Sequence, residues 1–123
     1  MSSFTQTKPI PWPGGHGEAA AVVALSPAAL ADRYGLRFYE ESDNLDFYDA
    51  AAVRLDSGRR VGLLRHHGNP SPGTELHVDA GERLLDAIRE FLDAFDLHAN
   101  DLTWVRSEVP LDHLRLAEEP TDR

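Results

Sequence analysis

Two adjacent histidines, His66 and His67, open the turn-rich loop Arg65-His66-His67-Gly68-Asn69-Pro70-Ser71-Pro72-Gly73. Imidazole changes charge between pH 5 and 8 and also ligates metals, so it suits proton transfer or ion binding. Either task calls for a neighbouring carboxylate that orients the ring or shares the ion. Asp43, Asp46 and Asp49 supply such carboxylates from the acidic segment 40–49. Neighbours on an extended chain point to opposite sides, so only one of the two histidines shares a given site with them. A catalytic or ligand-binding site would therefore use His66 or His67 with Asp49, with Asp43 or Asp46 as alternative partners. As a docking surface the same region offers Asp43, Asp46, Tyr48, His66, His67 and Asn69.

No complete motif accompanies these residues. The chain has no cysteine, which removes thiol catalysis, disulfides and thiolate metal sites. Spaced zinc ligands of the His-Glu-x-x-His kind are absent, and Asp43, Asp46 and Asp49 are three apart rather than the two of a calcium loop. Ser57 and Ser71 are turn residues outside any Gly-x-Ser-x-Gly elbow. Gly14-Gly15 and Gly68…Gly73 lack the Lys and Ser/Thr of a phosphate loop. The expectation is no catalytic residue, no metal and no cofactor. Glu75 and His77 share one face of a strand and read as an exposed polar row.

The elements that would position this region follow from periodicity. Ser26-Pro27 is an N-cap followed by proline at the first helical position, and Gly35 is a left-handed stop, so residues 27–34 form a short helix. Residues 36–41 alternate as a strand. Residues 47–55 and 60–66 make a hairpin around Asp56-Ser57-Gly58, with glycine where positive φ is needed. That loop pairs Leu55 with Arg59, and so Val53 with Val61, Ala51 with Leu63, Asp49 with Arg65 and Tyr48 with His66. Residues 74–78 add a strand. Asp79 and Glu82 resemble a capping box that opens a helix to about residue 97, with Leu84, Leu85, Ile88, Phe91, Leu92 and Phe95 as its apolar stripe. Residues 102–107 form a last strand with Leu102 and Trp104 inward. The segment 19–25 fits strand or helix equally.

The fold class is thus α+β: a small antiparallel meander of four to five strands, covered on one face by a long amphipathic helix, with a short N-terminal helix. A chain of 123 residues makes one domain. Residues 1–17 form a Pro/Gly-rich extended arm carrying Trp12, residues 18–118 the domain, and residues 119–123 a frayed tail.

The formal charge of −9 disfavours nucleic acid and anionic membrane surfaces as partners. No run is long or apolar enough to span a bilayer, and the first residues lack a secretory h-region, so a cytoplasmic location is expected. Eleven arginines against a single lysine suggest a GC-rich bacterial coding background. These features favour a protein-interaction module binding a basic protein partner. Toxin-neutralising immunity proteins and secretion chaperones share that profile, by size, charge and layout alone. The competing expectation is a small enzyme or metal- or ligand-binding domain using His66 or His67 with Asp43, Asp46 or Asp49. Homodimerisation through a sheet edge is compatible with both.

Overall fold

The hairpin around Asp56-Ser57-Gly58 lies inside a seven-stranded antiparallel sheet. The computed structural model describes residues 3–7, 17–42, 47–70, 72–79, 81–109, 112 and 114. In chain order the elements are β1 (Phe4–Thr7), β2 (Gly17–Val23), α1 (Pro27–Tyr34), β3 (Tyr39–Ser42) and β4 (Phe47–Leu55). They continue with β5 (Arg60–His66), β6 (Thr74–Asp79), α2 (Leu84–Ala94), a 3₁₀ turn (Ala99–Asp101) and β7 (Leu102–Val105). The strand order is β1-β4-β5-β6-β2-β7, with β3 also paired to β4.

The expected four- or five-stranded meander under a long helix is therefore incorrect. Two strands were hidden from pattern reading. β1 holds one apolar residue among polar ones, yet it pairs with the far half of β4, Phe4 opposite Leu55 and Thr7 opposite Ala52. Its Phe4 ring stacks on Phe95 at 4.3 Å between centroids, burial that no local pattern announces. The ambiguous apolar segment becomes β2, inserted between β6 and β7.

β4 has an unusual edge. β1 pairs with Ala52–Leu55, and β3 pairs with Phe47–Ala50 on the same side, so two short strands lie end to end along one long one. The Gln6 side chain closes the junction: its Nε2 donates to the Arg37 carbonyl at 2.6 Å, and its Oε1 accepts from the Arg37 N–H at 3.0 Å. A side-chain amide thus supplies the donor and acceptor that a backbone unit would give.

The β4–β5 register is the expected one, from Tyr48 opposite His66 to Val53 opposite Val61. Gly58 has φ +91°, and the Leu55 N–H donates to the Arg59 carbonyl at 2.8 Å. Helix α1 matches its expected span, and the Ser26 hydroxyl accepts from the Ala29 N–H at 3.1 Å.

Helix α2 is shorter than the sequence suggests, with 11 residues. The Asp79–Glu82 capping box does not form, because Asp79 still belongs to β6 and Gly81, with φ +92°, turns the chain first. The helix starts after Arg83, which makes no side-chain cap. At the other end Asp96 takes φ +53° and stops it, although Phe95 and Leu97 remain buried.

Both helices pack on one face of the sheet, α1 against β5 and α2 against β2 and β4. The core there joins Val53, Leu55, Val61, Leu63, Leu76 and Val78 to Leu30, Ile88, Phe91 and Phe95. Gly73 lets β6 approach β2: a Cβ there would fall 2.5 Å from the Val23 carbonyl oxygen. Trp104 was expected to point inward; on the outermost strand β7 it is 47 % exposed instead. No helix among the described residues is long and apolar enough to cross a membrane.

Candidate functional site

The hairpin register carries the two ends of β4–β5 to opposite ends of the sheet. At the end away from the Asp56-Ser57-Gly58 tip, the start of β4, the residues after β5 and strand β3 form a rim. The period of two then divides the rim between two faces. Tyr48 and His66 oppose each other on one face, with ring centroids 5.3 Å apart. Asp49 lies on the other, and there it meets His67, whose Nε2 is 3.2 Å from Asp49 Oδ1.

The two histidines are thus split as alternation requires. His67 is held by its own main chain, since its N–H donates to the Phe47 carbonyl at 2.9 Å, and its ring lies 6.4 Å from that of Phe47. Asn69 contributes backbone: its N–H donates to the His66 carbonyl at 3.1 Å and its carbonyl accepts from Arg65 Nη2 at 3.1 Å. It closes the turn after β5. Asp43 and Asp46 lie outside the described residues, as does Trp12.

Sequence reasoning missed one member of this cluster. Glu40 pairs with Asp49 across β3 and β4, and its Oε2 lies 3.8 Å from His67 Nε2. One oxygen from each carboxylate and the imidazole nitrogen all fall within 4.8 Å of one another. Pairing Ser42 with Phe47 across the four intervening residues would have found Glu40, because that register places 40 opposite 49. The three side chains are accessible, with Glu40 64 % exposed and Asp49 and His67 near two fifths. Chemically, Asp49 can hold the His67 ring through one nitrogen, as a carboxylate holds an imidazole in a base or ligand role.

Comparison with known proteins finds no match to any family model, curated protein or solved structure. The site is therefore read from its own chemistry.

Glu75 and His77 form a second cluster, on the Tyr48–His66 face. They were expected as an exposed row; instead both side chains are about three-quarters buried, and His77 Nε2 is 2.9 Å from Glu75 Oε1. The hydrogen bond from His77 holds the Glu75 carboxyl below its ordinary range, against the opposing effect of burial. Asp79, at the end of the same strand, goes the other way, raised chiefly by burial. A cavity of about 260 Å³ lies elsewhere, at the C-terminal end of α2 beside Arg89, Asp93, Asp96 and His98.

Proposed function

We propose that this chain is a protein-interaction module that docks a basic protein partner on the rim formed by β3, the start of β4 and the turn after β5. The observation that carries the reading is Phe47, an aromatic side chain left 56 % exposed and flanked on its own face by Glu40, Asp49 and His67. Large apolar rings are the usual energetic anchors of interfaces, and a surrounding ring of charge steers the encounter and selects the partner's sign. Tyr39, 37 % exposed and paired with Ala50, lies on the opposite face with the Arg37 guanidinium 5.1 Å from its ring centre, and is not part of this surface. The net charge of −9 adds long-range attraction for a cationic partner.

Native mass spectrometry of untagged chain purified from its own host tests the proposal. The expected result is a stoichiometric complex with a basic protein, weakened at least tenfold by Phe47→Ala and associating more slowly as salt rises. A bare chain, or a complex indifferent to both Phe47→Ala and Glu40→Lys, overturns it.

A further inference from the structure

We propose that Glu40, Asp49 and His67 form a binding site for one divalent transition-metal ion, with Zn²⁺ the best fit. The inference stands apart from the docking reading, because it concerns what the isolated chain binds.

The donor set is the first argument. One imidazole nitrogen and two carboxylate oxygens suit Zn²⁺ and its first-row neighbours, whereas Ca²⁺ and Mg²⁺ take oxygen alone. The spacing is the second. Zinc lies about 2.0–2.2 Å from nitrogen and oxygen ligands, which places the ligands of a tetrahedral site about 3.3–3.6 Å from one another. His67 Nε2 lies 3.2 Å from Asp49 Oδ1 and 3.8 Å from Glu40 Oε2, bracketing that distance. All three donor atoms lie within 4.8 Å of one another.

The third argument concerns how the donors are held. They come from three separate segments, β3, β4 and the turn after β5, and backbone pairing fixes all three. Glu40 and Asp49 are register partners, and His67 is tied to the Phe47 carbonyl and backed by the Phe47 ring. A neutral imidazole offers Nε2 as a lone pair once Asp49 no longer receives its hydrogen bond. Like charges at directly paired strand positions disfavour that pairing, so Glu40 opposite Asp49 weakens the β3–β4 edge. An ion between them turns this repulsion into a bridge. Arg65, the partner of Asp49 on β5, donates to the Asn69 carbonyl and is the nearest cation by register. Three protein ligands leave a fourth position open, the pattern of a site that exchanges water or accepts an outside ligand.

Isothermal titration of the full chain with Zn²⁺ near pH 7 tests the assignment, with thermal unfolding as a second readout. We expect one equivalent to bind and to raise Tm with Zn²⁺ concentration by mass action. His67→Ala and Glu40→Gln are each expected to lower affinity at least tenfold, while His77→Ala and Glu41→Gln, on the opposite face, leave it unchanged. All four positions lie at least partly open to solvent, and circular dichroism checks that each variant folds. Absence of binding at millimolar Zn²⁺, or equal affinity in wild type and His67→Ala, overturns the proposal.

Discussion

One hairpin, β4–β5, ends in two kinds of carboxylate environment. At its tip Glu82, Glu90 and Asp56 are each matched by a donor. The Arg59 guanidinium binds Glu82 at 3.0 Å and Glu90 at 2.6 Å, and Glu90 also accepts from the Ser57 N–H and hydroxyl. Asp56 accepts from the Ser3 N–H at 2.9 Å and its hydroxyl at 2.7 Å. At the rim, by contrast, Glu40 and Asp49 face each other with an imidazole between them. The tip uses charge to fasten β1, the hairpin and α2 together. The rim keeps its charge near the surface, available to something else. Ionic groups of similar composition thus serve structure where they are paired and part-buried, and stay accessible to solvent where they are crowded and open.

Breaking the tip should have the largest effect. Arg59 and Glu90 are less than one-fifth exposed, so Arg59→Ala leaves two carboxylates without their cation. A loss of about 2 kcal/mol is expected in urea unfolding, within the range for charge-assisted hydrogen bonds and partly buried pairs. A loss below about 0.5 kcal/mol would mean that the tip network is ornamental.

Acid sharpens the contrast. The Ser3 hydrogen bonds hold the Asp56 carboxyl below its ordinary value. Its contribution is therefore present above the usual carboxylate pKa and is lost as pH falls through the lowered, folded value. Ser3→Ala removes the hydroxyl donor and keeps the backbone one, so part of that contribution should be lost and stability should decline less steeply in acid than in wild type. Denaturant midpoints measured between neutral pH and pH 2 would show this, and parallel profiles would refute it.

The smallest effect belongs to the rim. Asp49→Asn removes one of two opposed charges while keeping an acceptor for His67, so stability in metal-free buffer should rise by about 0.3 kcal/mol. A clear destabilisation there would place the rim among the structural elements and erase the distinction between the two ends.

Much of this contrast was legible in the sequence, and the failures share one cause. The hairpin register followed from the three-residue loop and glycine alone, and helix α1 followed from its Ser-Pro start, because these signals are local. The separation of His66 from His67 followed from strand alternation. What escaped were pairings between distant segments. Nothing local ties Glu82 or Glu90 to a cation, yet both are paired with Arg59 from the hairpin tip. The Glu90 side chain, outside the apolar stripe of the helix, is nevertheless only 14 % exposed. Phe4 was lost for the same reason: its partners Tyr34 and Phe95 are far along the chain. Glu40 is legible in principle, since it needs only the β3–β4 register that sets 40 opposite 49.

The end-to-end arrangement of β1 and β3 along β4 has a consequence for the order of assembly. The β4–β5 hairpin closes a three-residue loop, an inexpensive step in chain entropy. β1 must find the same strand across an intervening segment that includes β2, α1 and β3, with Phe4 opposite Leu55. Its hydrophobic reward, the Phe4 stack on Phe95, exists only once the C-terminal end of α2 is in place. The first strand in the sequence is thus among the last to dock, and the Gln6 amide that splices it to Arg37 fastens a joint whose two halves are made at different times.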